Sequence, residues 1–151
     1  MRNEAISAGV FVGVLVAFVS LAGCATTGGA RQQVVEAGLA QLGTPYRYGG
    51  EDPRTGVDCS GLTYYAHHAA GIDIPRVSVA QLARARPLAR ARARAGDLVF
   101  FRTGPGVHHV GLMVDDERFV HASTSRREVR LARLDAPYWR ARYLGAGTYL
   151  D

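Results

Sequence analysis

An α+β domain, helices first and an antiparallel sheet after, is the fold class this sequence predicts, on three observations. Beyond residue 30 the first stretches carry apolar residues at helical spacing. After Gly96-Asp97 the pattern changes to short apolar or alternating runs divided by turn residues. Helices that precede a run of strands, instead of alternating with them, argue against a parallel βαβ sheet. The length, 151 residues, suits one domain, and 48% hydrophobic with 21% charged residues excludes disordered, collagen-like and coiled-coil chains. All 18 basic residues are Arg, against 13 acidic ones, for a net charge of +5. That excess is compatible with nucleic acid, but no zinc-finger spacing or RNA-binding motif accompanies it, so no nucleic-acid partner is expected.

Taken in order, the chain opens on a segment that is not part of the fold. Ala5 to Ala30 carry no charge, and Ile6 to Leu21 are almost wholly apolar, long enough to span a bilayer. Small residues and a flexible Ala25-Thr26-Thr27-Gly28-Gly29 then follow, as a signal-peptidase site requires. Leu21-Ala22-Gly23-Cys24 resembles the bacterial lipobox, the alternative being an uncleaved anchor. The resemblance implies a signal peptide over 1–23, a diacylated Cys24, a short tether over 24–30 and a catalytic domain over 31–151. It also implies export to the periplasmic face, with Ala25 rather than Asp directing the protein to the outer membrane.

Val34, Val35, Leu39 and Leu42 predict a helix over 32–42, ended by Gly43-Thr44-Pro45, and 46–57 reads as loop. A second helix starts at Cys59 or Ser60, with Asp58 or Ser60 as cap, and stops near Ala70 before Gly71. Five Arg between Ala residues over 84–94 read as a solvated low-complexity loop; the sharper alternative is a basic rim for an anionic polymer. Strands are expected at 98–101, at 107–114 and 118–122 as a hairpin around Asp115-Asp116-Glu117, at 128–134 and at 143–149.

With Cys24 consumed by lipid, Cys59 is the one thiol left, and it lies at a helix start, where N–H groups and the helix dipole favour a thiolate. A thiolate is the strongest nucleophile a side chain offers near neutral pH. His67 and His68 follow more than two helical turns later, too far to act on it, and are expected at the surface. His108 and His109 are adjacent on a strand, so one of them faces the thiol and the other points away. His121 joins the face of His109 if Met113 pairs with Phe119, which sets His109 diagonal to His121. That register needs a loop longer than two residues.

Gly43-Thr44-Pro45-Tyr46-Arg47-Tyr48-Gly49-Gly50 followed by Val57-Asp58-Cys59-Ser60-Gly61-Leu62 is similar to the nucleophile region of the NlpC/P60 cell-wall cysteine peptidases. Ile74-Pro75-Arg76, Gly96-Asp97-Leu98-Val99-Phe100-Phe101, His109-Val110-Gly111-Leu112 and Phe119-Val120-His121-Ala122-Ser123 match later blocks in the same order. The resemblance implies a papain-like core with Cys59 as nucleophile, His109 as general base and His121 as the orienting residue. Tyr46 would join the Cys59 N–H at the oxyanion, and Asp58, Ser60 and Arg76 would lie near the subsites for the peptide stem. It further implies a monomer without cofactor or metal that hydrolyses an amide bond of peptidoglycan stems, either γ-D-glutamyl–diaminopimelate or D-alanyl–diaminopimelate. A zinc site built on Cys and His, a non-catalytic wall-binding lipoprotein and an amidase or acyltransferase on another substrate are the alternatives.

Overall fold

The computed structural model describes residues 27–151, so the signal segment and Cys24 lie outside the described residues. Helix α1 spans Thr27–Leu39 and therefore begins inside the stretch expected as tether. It ends before Leu42 because the chain is drawn into the sheet: Gly43, at φ +84°, donates to the Val129 carbonyl, and Thr44 accepts from the Val129 N–H. Among the described residues no helix is long and apolar enough to cross a membrane.

A small hairpin, β1 (Glu51–Asp52) and β2 (Gly56–Val57), interrupts the expected loop, and α2 follows at Cys59–Ala69. Then come α3 (Ser78–Arg84), β3 (Arg86–Leu88), a 3-10 turn at Arg90–Arg92 and β4 (Leu98–Gly104). The hairpin β5 (Val107–Met113) and β6 (Arg118–Ser123), β7 (Glu128–Arg133), the short α4 (Pro137–Arg140) and β8 (Tyr143–Thr148) complete the chain. The main sheet has six antiparallel strands in the order β3-β8-β4-β5-β6-β7.

The Arg-rich segment is thus not a free loop. Arg86, Pro87 and Leu88 pair with Thr148, Gly147 and Ala146 to form a sheet edge, and Ala85 and Ala93 are buried beneath the arginines. Charged residues and a Pro on an edge strand carry no strand signal, although edges tolerate both.

Alternation along the strands sorts the core into two layers. Leu98, Phe100, Val110, Leu112 and Val120 pack under Val34, Leu62 and Ala66 of α1 and α2. On the opposite face Val99, Phe101, Met113 and Phe119 are closed by Ala93, Leu134 and the partly buried Trp139. Among the described residues the buried core runs from Val34 to Leu150. His67 corrects an expectation. It is fully buried on α2, with Nδ1 2.8 Å from the Thr63 carbonyl and its ring edge-on to Tyr149, whereas His68 is exposed.

Candidate active site

Cys59 is the first residue of α2, and the turn that presents it is fixed by Asp58. The Asp58 backbone is extended, and its Oδ1 accepts from the Gly61 N–H at 2.7 Å, while Oδ2 accepts from the Gly49 N–H at 2.9 Å. Gly61 sits so close to the Gly50 carbonyl that any side chain there would overlap it. The start of the helix is therefore locked to the 46–50 loop, and the thiol is aimed outward from that junction.

The sheet meets it with an opening. Leu112 pairs with Val120 and Met113 with Phe119, the register the sequence predicts, across a loop in which Asp115 caps Glu117 and Arg118. Those two pairs are the whole β5–β6 ladder. The ladder ends there, and at that point of β5 the Val110 N–H acts to lower the pKa of the Cys59 thiol. In the same opening His109 Nε2 lies 3.0 Å from His121 Nδ1, with the two rings edge-on at 5.1 Å. His109 thus spends Nε2 on His121, and its ring lines the same cleft as Cys59. His108 is half-buried and still lines the same cleft, near Val107 and Gly106, despite its place on the alternate face.

Trp139 is the residue of the site that sequence reasoning missed. Its ring stacks on His109 at 5.4 Å and 20°, meets His121 edge-on at 4.9 Å, and touches Phe101 and Phe119 as well. Pro137 opening a helix of four residues was the one available signal.

Burial governs the charge states. It pushes the Cys59 thiol up, opposed by N–H donors of Val110, Ser60 and Cys59 and reinforced by Asp58. It also holds His109 down at about 4, and His121 at about 3 with help from His109 and Arg130. Burial thus opposes the thiolate that the helix end favours, and it opposes protonation of His109 as well.

Tyr46 lines the cleft beside Cys59, its phenol pushed up by burial and then by Cys59 and Asp58. Its N–H donates to the Arg127 carbonyl, and Arg127, at φ 62°, sets its guanidinium over the Tyr46 ring at 5.7 Å. Arg76 places all five donors: Nε on Glu51, Nη1 on Asp58 and Ser60, and Nη2 on Asp58 and the Gly50 carbonyl, at 2.7 to 3.2 Å. So Asp58, Ser60 and Arg76 form one network on the wall next to the thiol. The cleft that joins all these residues is open and holds about 1240 Å³, ample for a peptide segment.

A helix-borne thiol facing sheet-borne histidines in an α+β domain defines the papain-like class of fold. Within it the chain belongs to the NlpC/P60 family, whose profile matches residues 43–148. The chain is similar to the Murein DD-endopeptidase MepH of Escherichia coli, at 43% identity over 72% of this chain and 42% of that protein. It also resembles the Bifunctional muramidase/DL-endopeptidase CwlT of Bacillus subtilis, 34% identical over 77% of this chain and 36% of that one. The crystal structure of an NlpC/P60 family protein from Bacillus cereus superposes with a TM-score of 0.74 and 32% identity, covering 80% of this chain and 40% of the other. The chain therefore spans less than half the length of these relatives.

Proposed function

We propose that this protein is a cysteine endopeptidase that hydrolyses an amide bond in the peptide stems of peptidoglycan. The observation that carries the reading is Cys59 at the start of α2, lining one open cleft with a His109–His121 pair at 3.0 Å. Kinship to relatives named for murein endopeptidase activity supports the substrate class.

In the resting site thiol and imidazole are both neutral. As the Cys59 sulfur attacks the stem carbonyl, its proton passes to His109 Nδ1, the C=O electron pair moves onto oxygen, and the imidazolium is steadied by His121. The Cys59 N–H and the Tyr46 hydroxyl receive the oxyanion. Collapse expels the amine, which takes the proton back from His109. A water, deprotonated by the same His109, then splits the thioester and returns the thiol. The Asp58–Ser60–Arg76 wall offers carboxylate and hydroxyl acceptors to the stem beside the scissile bond.

Mass analysis of purified muropeptides digested with wild type and Cys59→Ser tests the reading. Wild type is expected to yield two stem fragments 18 mass units heavier in sum than the substrate, through an added water, and Cys59→Ser none. Fragment identity names the bond. The D-alanyl–diaminopimelate cross-link comes first on likeness to the DD-named relative, and release at γ-D-glutamyl–diaminopimelate would replace it. Intact muropeptide with active wild-type thiol would end the reading.

Anchoring belongs to the same proposal. The Leu21-Ala22-Gly23-Cys24 box supports lipidation of Cys24 and attachment to the outer membrane from the periplasmic side. Cys24→Ala should leave an unprocessed precursor; unchanged processing and fractionation would end this part.

A further inference from the structure

The edge of the sheet away from β7 carries a second cavity, of about 570 Å³, that shares no residue with the active-site cleft. Arg31 of α1, Arg86 of β3 and the exposed Arg92 and Arg94 line it, together with Asp97 and Thr148. The one carboxylate in that lining is already spent. Asp97 is buried, its Oδ1 taken by Arg31 at 2.8 Å and its Oδ2 by the Arg94 backbone N–H at 3.0 Å. Arg31 is held further by the Ala95 carbonyl at 2.7 Å and reaches the Asp151 carbonyl at 3.5 Å, while Arg86 reaches the Leu150 carbonyl at 3.0 Å. Arg31 is thus paired with Asp97, whereas the Leu150 carbonyl orients Arg86 without neutralising it. Neither Arg92 nor Arg94 has a carboxylate partner among the described residues.

Order distinguishes this cluster from a solvated Arg-Ala run. Strand pairing fixes Arg86, and the burial of Ala85 and Ala93 turns the intervening arginines outward. The place of the cavity says what it meets. Arg31 is the fifth residue of α1, so the chain enters the helix within about 6 Å along the axis. Immediately before that entry the sequence holds the uncharged segment from Ala5, whose apolar part can span a bilayer. Whether cleaved and lipidated or retained, that segment puts the membrane surface at this end of the domain.

We propose that the Arg31–Arg86–Arg92–Arg94 cavity docks on the phosphate groups of an anionic phospholipid surface, seating the domain with its β3 edge toward the bilayer. This rests on the membrane anchoring proposed above. The anchor keeps this end of the domain at the membrane, where each Arg near an anionic surface adds about 1 kcal/mol of attraction. Three strand spacings separate β3 from β5, which sets the histidine strand about 14 Å across the sheet from the docked edge. Docking would therefore hold the catalytic cleft clear of the headgroups.

Flotation with vesicles tests this on residues 27–151, which lack the anchor, once a cooperative urea transition shows that they fold without the preceding segment. Binding is expected to phosphatidylcholine vesicles containing about one third phosphatidylglycerol, to fall steeply with salt, and to be absent on pure phosphatidylcholine. Each Arg removed should weaken partitioning about fivefold. The triple variant R86E/R92E/R94E should not float, and R86Q/R92Q, which is gentler on the fold, should lose more than tenfold. An equal-charge control, R47E/R54E/R102E on other surfaces, should keep most of the binding. Equal loss in both triple variants, or no binding to anionic vesicles, overturns the site, as does retention on a soluble anionic wall polymer without flotation. The full chain on pure phosphatidylcholine reports the anchor separately. If it floats there while the domain ignores phosphatidylglycerol, the anchor stands and the Arg site falls; if it stays in solution while the domain binds, the anchoring premise falls.

Discussion

Burial pushes the Cys59 thiol up and holds the His109 imidazole down, each withdrawn from water before substrate arrives. Alkylation of Cys59 by iodoacetamide should therefore rise at or above the pH of a free thiol, near 8.5, and an inflection below pH 7 would contradict this. The base side is wide: kcat/KM should hold down to about pH 5 and fall toward pH 4, where His109 takes its proton. Replacing His109 by Ala should cost ~10²–10⁴-fold in kcat, the range for a general base. His121→Ala should cost less, since Trp139 and Phe101 still bracket the His109 ring. His108→Ala should act on KM more than on kcat, because its ring lines the cleft but has no hydrogen bond to the pair.

Two short elements place those residues. The first turn of α2 depends on Asp58, which caps Gly61, ties down Gly49 and pairs with Arg76. Asp58→Ala should lower stability by about 2 kcal/mol or more, through the lost cap and an Arg76 left short of its main partner, as read by urea denaturation. Asp58→Asn keeps acceptors for the backbone N–H groups and should lose less. Helix α4 has only four residues, yet it sets Trp139 flat against His109. Trp139→Ala should depress kcat at nearly constant KM, and Trp139→Phe should restore much of it by returning an aromatic face. Full activity in the Ala variant would reduce Trp139 to a lid over Phe101 and Phe119.

Across the molecule, three histidines are buried: His67 on α2 and the His109–His121 pair. Burial holds His67 and His109 down at about 4 and His121 at about 3, against about 6.5 in the unfolded chain. Unfolding thus takes up protons, so stability is full above about pH 6.5 and is lost progressively as the pH falls toward 4 and 3. Urea midpoints followed from pH 7.5 to 4 should drop. His67→Gln, which removes a buried base outside the cleft, should flatten part of that slope while leaving the Cys59 alkylation profile unchanged. A midpoint indifferent to pH would show that these rings are hydrated.

Much of this was open to reading in the residues. Asp58 and Ser60 marked the start of α2 to within a residue, and strand alternation showed that His121 joins His109 if Met113 faces Phe119, the pairing observed. Such features are local: each depends on spacing within one element or one hairpin, where chain geometry leaves few choices. What needed the assembled fold is contact between segments far apart in sequence. Trp139 meets His109 thirty residues away, and Arg76 gathers Glu51, Gly50, Asp58 and Ser60. Strand β3 exists because β8 offers an unpaired edge, not because Arg86-Pro87-Leu88 prefers extension. His67 lies buried for the same kind of reason, under Tyr149 from the other end of the chain. The charge state of Cys59 also turned on packing: the helix end favours the thiolate, but the desolvation that opposes it arises only once sheet and helix close together.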